Sequence, residues 1–330
     1  MDTIATLLEG VEAGPARSHG RLTLYPLFGP DRPRDYLLLH EAIEAGLARV
    51  TEVSEGGSVP ELALVNEADR PVLLLDGQEL VGAKQNRILN LTLLAPPKAT
   101  LVVPVSCVEA GRWAWREAAF RDAGRVHFAM GRARKAAAVS RNLAEAGVAM
   151  ADQGEIWWEI DARLARMAGV EAPTRAAAAL YESREDEIER YVAAFPAAEG
   201  QLGLVAAMEG RLLGLELFDS ADAFAQCAAR IVRSWAVEAL SPLPAGELGG
   251  IESDDPRALL EAVAAAPVRR HRAVGLGEGL RFEPSGIVGG ALVWEGRLVH
   301  LMAFTEVEGG RGSGDWALAR ASVRARRSRR

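Results

Sequence analysis

The stretch Ile88-Leu89-Asn90-Leu91-Thr92-Leu93-Leu94-Ala95-Pro96-Pro97-Lys98-Ala99-Thr100-Leu101-Val102-Val103-Pro104-Val105 carries the first decision about the fold. In its first half Leu89, Leu91 and Leu93 share one side of an extended chain while Asn90 and Thr92 share the other, the period of a half-buried strand. Leu101 to Val105 reads as a second strand, and Ala95-Pro96-Pro97-Lys98 as a hairpin connection between the two. Pro104 withholds a backbone donor, which assigns its strand to an edge or to a bulge. Similar short apolar runs lie upstream: Arg21 to Phe28, Tyr36 to Leu39, Val50 to Val53, Leu62 to Val65 and Val72 to Leu75, with a short helix from Glu41 to Ala48. The first half of the chain is therefore predicted to be mainly sheet.

Downstream the period changes. Ile156, Trp157, Ile160, Leu164 and Met167 recur at helical spacing, with Glu155, Glu159, Arg163 and Arg166 largely opposite, which predicts an amphipathic helix. Pro173 starts or precedes a further helix, and Glu185 to Val192 forms another. Leu202 to Met208 with Arg211 to Leu217, and Ala291 to Trp294 with Leu298 to Phe304, read as hairpins about Glu209-Gly210 and Glu295-Gly296. Both turns continue as Glu-Gly-Arg-Leu, by itself a weak sign of duplication. Between the hairpins Asp219 or Ser220 caps a helix with Phe224, Cys227, Ala228, Ile231 and Trp235 on one side, where the cysteine packs as a small hydrophobe.

The pattern predicts an α+β fold with a β-rich core of mainly antiparallel hairpins and a helical segment inserted in the middle. Residues 1–135 form a β-rich module, 136–200 the helical segment, 201–308 a hairpin-helix-hairpin module completing the same core, and 309–330 a flexible Gly/Arg-rich tail.

Composition narrows the function classes. With 49% hydrophobic and 25% charged residues among 330, the chain can bury a proper core without disulfide or metal. Its 38 basic and 45 acidic side chains leave a net charge of -7, which does not suit a nucleic-acid binder. Cys107 and Cys227 follow no CxxC or Cys/His spacing, and His19, His40, His127, His271 and His300 show no ligand spacing, so neither metal nor cofactor is expected. The first residues show no signal peptide and no apolar run reaches the length of a membrane span, so a cytoplasmic protein is expected.

The polar turns between Asp76 and Trp113 stand out. They hold Asp76-Gly77-Gln78-Glu79, then Gly82-Ala83-Lys84-Gln85-Asn86-Arg87, then Ser106-Cys107-Val108-Glu109-Ala110-Gly111-Arg112-Trp113. If the flanking strands pair antiparallel, the Gln-Asn-Arg and Cys-Val-Glu runs meet at one end of the sheet.

Leu75 to Arg87 and Pro104 to Trp113 resemble the hallmark of a bacterial and archaeal family, the ARG and rhodanese-phosphatase-superfamily-associated protein domain. The resemblance extends, less specifically, through Val274-Gly275-Leu276-Gly277 and Leu298-Val299-His300-Leu301. It implies a link to NAD or ADP-ribose metabolism and assigns no catalytic residues, so roles follow from chemistry.

Glu79 and Glu109 are candidates for a carboxylate pair in which one is ionised and one protonated, as in glycosidic cleavage. Cys107 is a candidate nucleophile, although a thiolate needs an adjacent base and no histidine is near in sequence; His127 or His300 could approach in space. Arg87 and Arg112 suit phosphate or carboxylate oxygens, Trp113 suits stacking on a base, and Gln85 and Asn86 suit hydroxyls or base edges. The expected partner is a small polar or phosphorylated ligand, nucleotide-derived, which the protein would bind and hydrolyse or transfer. Against this stands a plainer reading, in which Glu79 with Arg87 and Glu109 with Arg112 are ion pairs that only fix the turns. The protein is then a non-catalytic interaction or regulatory module, anchored on Trp113 and Trp115 or on Trp157 and Trp158. Gly275-Leu276-Gly277-Glu278-Gly279 reads as a sheet turn and not a phosphate loop, because no helix follows it. His300 is placed on the same strand face as Leu298 and Met302, half-buried.

Overall fold

The computed structural model describes residues 4–54, 56–111, 113, 117–167, 175–241 and 248–306. Strand alternation turns Ala48, Val50, Leu62, Leu64, Leu80, Leu89, Val103 and Val105 toward one another as an apolar core. The strands that carry them close into a six-stranded barrel in the order Ala99–Cys107, Glu61–Asn66, Ala48–Glu52, Phe120–Val126, Gln78–Gly82, Arg87–Leu89. Closure leaves none of them an open edge.

Beside the barrel runs a ten-stranded antiparallel sheet. Its centre is Leu22–Phe28, Gly203–Met208, Arg211–Phe218, Arg297–Thr305, Ile287–Trp294 and Glu278–Phe282. On one face Ile4, Leu8, Leu259 and Val263 pack with Leu27, Leu215 and Leu301. On the other face Phe224, Ile231 and Trp235 of helix Ala221–Leu240 pack with Leu204 and Phe304. Ser220 caps that helix, its hydroxyl accepting from the Ala223 N–H. The fold is α+β with a β-rich core, as the sequence predicts.

Both Glu-Gly turns form the tips of hairpins, with Glu209 and Gly210 at φ 54° and 73° and Glu295 and Gly296 at 52° and 74°. The likeness goes beyond the four shared residues. Aligning the two turns makes Leu213 equivalent to Val299, and each is the extra residue at which its hairpin shifts register. The same alignment makes Glu216 equivalent to Met302, and these two face each other where the hairpins pair. The two hairpins are thus related by a local two-fold through that pair, the arrangement a duplication leaves. The bulge at Val299 also corrects the face assigned to His300: Leu298 packs in the cluster on one side of the sheet, Met302 in the cluster on the other.

Several local expectations are corrected. The run Ile88 to Leu94 is not one strand but two, Arg87–Leu89 in the barrel and Leu93–Ala95 in a separate three-stranded sheet. The break falls at Asn90, which is fully buried: its side chain donates to the Ala149 carbonyl and accepts from Ser106 Oγ, and its carbonyl accepts from Lys135 Nζ. Ala95 to Lys98 therefore joins two sheets and is not a hairpin tip. Pro104 lies neither at an edge nor in a bulge. Its strand pairs with Glu61–Asn66 as far as Pro104 and with Arg87–Leu89 from Val105 onward, so the missing donor falls where the partner changes.

The sequence reading passed over the strand Phe120–Val126 and the long helix Ala129–Ala146, which ends on a left-handed Gly147. Glu159 and Arg163, set largely opposite the apolar stripe of their helix, are nevertheless buried, Glu159 paired with Arg134 and Arg163 with Glu238 at 2.7 Å. The helices of the middle share the apolar cluster of the large sheet, since Ile156, Ile160, Leu180 and Ile188 pack in the same cluster as Leu204 and Phe304. Pro173 and the Gly/Arg-rich tail from 309 lie outside the described residues. No helix among the described residues is long and apolar enough to cross a membrane.

Candidate functional site

The inward face of the barrel wall changes from apolar to polar at one rim. Two residues beyond Val50 comes Glu52, two before Leu89 comes Arg87, and two beyond Val105 comes Cys107, each on the side that its apolar neighbour turns to the core. Arg87 stands opposite Cys107 in the register, and both are fully buried. Glu52 retains 7% exposure, as do Lys84 and Gln85. Trp113, nearly half exposed, covers this layer, its ring centroid 5.3 Å from Lys84 Nζ and 5.6 Å from Arg87 Cζ.

The turn between Gln78–Gly82 and Arg87–Leu89 is folded by its own amides. Gln85 Oε1 accepts from Arg87 at 2.9 Å and from the Cys107 thiol at 3.2 Å, while its Nε2 donates to the Glu109 carbonyl at 3.0 Å. Asn86 touches both candidate carboxylates: its backbone N–H donates to Glu109 at 3.1 Å and its side chain to Glu79 at 3.5 Å. Gly82 must be glycine, because a Cβ there would lie 2.8 Å from the Ala119 carbonyl at a φ of 136°. Gln153 clamps the far side, accepting from the Cys107 N–H at 2.8 Å and donating to its carbonyl at 2.6 Å.

The structure thus brings together Gln85, Asn86, Arg87, Cys107, Glu109 and Trp113, while Arg112 and Trp115 lie outside the described residues. Glu79 belongs to the outer wall. It pairs in register with Ile88, which packs in the other apolar cluster, and its carboxylate takes a fork from Arg125 at 2.6 and 3.1 Å. The ion partner imagined for Glu79, Arg87, is replaced by Arg125. Cys107 directs its thiol at Gln85 Oε1 and the Glu109 carbonyl and accepts a 3.5 Å contact from the Glu109 N–H; burial pushes its pKa up, although the Glu109 backbone, Arg87 and Trp157 pull the other way.

Neither histidine completes a nucleophilic pair with it. His300 is fully buried, not half-buried, and bonds Thr92 at 2.9 Å and Glu216 at 3.1 Å. His127 is also fully buried, and burial together with Lys135, Arg163 and Arg132 holds its pKa well below the ordinary value. Cys227 lies on the apolar stripe, burial pushing its thiol up to about 12. Among the described residues no group of three or more His, Cys, Asp or Glu could hold a metal.

Sequence reasoning missed Glu52, Arg125 and Gln153 and gave Lys84 no role. Only Glu52 left a signal, a carboxylate that continues the inward alternation of Ala48 and Val50.

Fold and site together define a class: a β-barrel docked on a large antiparallel sheet, with a polar rim under a half-exposed tryptophan. The chain belongs to the ARG and rhodanese-phosphatase-superfamily-associated protein domain family, whose family model matches residues 10–304. No curated protein and no solved structure matches it.

Proposed function

We propose that the barrel rim binds a small, phosphorylated, nucleotide-derived ligand such as ADP-ribose or an NAD-related metabolite, and that hydrolysis or transfer of that ligand is the reaction it serves. The observation that supports this is Trp113, a half-exposed aromatic face flanked by Lys84 and Arg87 above a layer of amides and carboxylates. A base stacks on the exposed part of such a ring, and the Lys84 ammonium favours phosphate. The family's implied association with NAD and ADP-ribose metabolism is consistent with this ligand class. In a reaction, the acid-base work falls to Glu109, because the Arg125 fork occupies Glu79 on the outer wall.

The test is thermal stability against NAD, ADP-ribose, related nucleotides and sugar phosphates. A ligand at a hundred times its Kd adds roughly 2.7 kcal/mol to the folded state. An upward shift from one of these classes, lost in Trp113→Ala and Lys84→Ala, is the expected result. The absence of a shift from every compound would overturn the proposal.

A second reading, a protein-interaction or regulatory module, draws on a different observation. Trp157 and Trp158 are more than a third exposed, as are Val148 and Met150. Capture of a protein partner lost in Trp158→Ala and kept in Lys84→Ala would favour it.

A further inference from the structure

We propose that Glu52 is the specificity-determining residue of the barrel rim, accepting hydrogen bonds from the vicinal hydroxyls of a ribose in a bound nucleotide. The inference rests on the ligand reading above and adds to it a residue and a recognised group.

Glu52 ends its strand on the inward face, where its neighbours two and four residues back are Val50 and Ala48 of the apolar core. It is 93% buried by its 7% exposure, and no donor among the described residues reaches Oε2. Among the described residues its other oxygen, Oε1, takes only the long 3.4 Å contact from the Lys84 N–H. A buried carboxylate oxygen with no donor is costly, and such a cost persists where function needs it.

The surroundings identify what the missing donor would belong to. A Cβ built on Gly57 would lie 3.3 Å from Glu52 Oε2, from Lys84 Cδ and from Trp113 Cζ2, so the orphan oxygen, the lysine stem and the indole edge meet around one glycine. Gly57 has a φ of 74° and no side chain to fill that point. The acceptor oxygen therefore lies at a tight point against the edge of an indole and the stem of a lysine whose Nζ donates to the Gly56 carbonyl at 2.7 Å. A ribose diol supplies two adjacent donors to a carboxylate, the base it carries stacks on tryptophan, and its phosphate meets the lysine. A free anion would use the cation alone and be repelled by Glu52.

Binding of AMP and ADP-ribose is compared with that of 2′,3′-dideoxy-AMP by calorimetry, in the wild-type protein and in Glu52→Ala and Glu52→Gln. The wild type is expected to prefer AMP over the dideoxy compound by roughly tenfold or more, the effect of hydrogen bonds to a charged acceptor. Glu52→Ala should bind both alike. Equal preference in the wild type, or a preference that survives Glu52→Ala, overturns the role of Glu52 while leaving the ligand reading intact.

If no nucleotide binds at all, the ligand reading itself has failed, and a second measurement judges Glu52 alone. A carboxylate kept without a donor makes ligand-free Glu52→Gln melt higher than the wild type. A fall in melting temperature would show that Glu52 holds the fold, and would overturn the proposal.

Discussion

The guanidinium of Arg132 forks onto the carboxylate of Glu216, both N–O distances being 2.8 Å, and neither residue is more than 1% exposed. The pair ties helix Ala129–Ala146 to the centre of the ten-stranded sheet, and His300 completes it with a 3.1 Å contact to the same carboxylate. Asp76, in the motif that carries the family resemblance, faces the same helix, 2.8 Å from Lys135 Nζ and 3.8 Å from Arg132 Nε. The turn preceding the candidate site is therefore fixed by buried charge and not by apolar packing alone.

Removing one partner of such a pair leaves the other charged and desolvated. Arg132→Met is expected to destabilise the protein by about 3–5 kcal/mol, and Arg132→Met with Glu216→Gln to cost less than the single change. Urea unfolding of the three proteins measures this. Additive losses would mean that the pair is not the unit of stability.

The same pair sets an acid limit. Burial alone would raise the Glu216 carboxyl, but Arg132 and His300 outweigh it and hold the pKa at about 2. Because that folded-state value is depressed, the unfolded chain takes up the proton first. The stabilisation is present above about pH 4.5, the ordinary value, and is lost as pH falls toward about 2. Glu216→Gln should accordingly show a shallower loss of stability across that window than the wild type. Parallel acid limbs would assign the effect to other carboxylates.

How far the sequence speaks depends on the range of the interaction. Glu209-Gly210 and Glu295-Gly296 announce their hairpins because positive φ is a local demand. Leu89, Leu91 and Leu93 announce an extended chain, but the break at Asn90 depends on Ser106, Lys135 and Ala149, which no window around Asn90 contains. Helix Ala129–Ala146 hides its period because Arg132 and Lys135 occupy buried positions beside Ala133 and Ala136. At the site, the convergence of Gln85, Asn86, Cys107 and Glu109 follows from antiparallel pairing and is legible. The Arg125 fork that takes Glu79 comes from a strand with no apolar alternation to reveal it.

Asn90 itself offers a test of that explanation. Asn90→Ala removes the donor to the Ala149 carbonyl and the acceptor for Ser106 Oγ, leaving a buried hydroxyl without that partner. A loss of about 2–4 kcal/mol is expected from the unsatisfied groups. Replacing Ser106 as well, with alanine, should cost little more, since the hydroxyl then disappears with its acceptor. A near-neutral Asn90→Ala would show that the strand break does not depend on these bonds.

Thiol chemistry separates a packing role for Cys107 from a reactive one. Burial pushes both cysteines up, Cys227 to about 12, so neither holds much thiolate near neutral pH. Both are buried and free. In the folded protein a maleimide or disulfide reagent is expected to modify neither at a rate near that of an exposed thiol, and to modify both after unfolding. Rapid modification of Cys107 alone would return it to the role of nucleophile.

Glu159 gives a prediction of opposite sign to Glu216. It lies buried on helix Gln153–Arg166, and burial raises its carboxyl to about 7 although Arg134 pulls the other way. Between the ordinary 4.5 and about 7 the folded protein retains a proton that the unfolded chain has released, so this group makes stability fall as pH rises through that window. The slope is at most about 1.4 kcal/mol per pH unit. Glu159→Gln cannot titrate, and its stability relative to the wild type should therefore improve steadily from about pH 4.5 to 7 and level off above. Urea unfolding at pH 5, 6, 7 and 8 reads the difference directly. A constant difference across the series would mean that Arg134 keeps the carboxylate ionised throughout, which would make the pair a net support for the packing of the two helices.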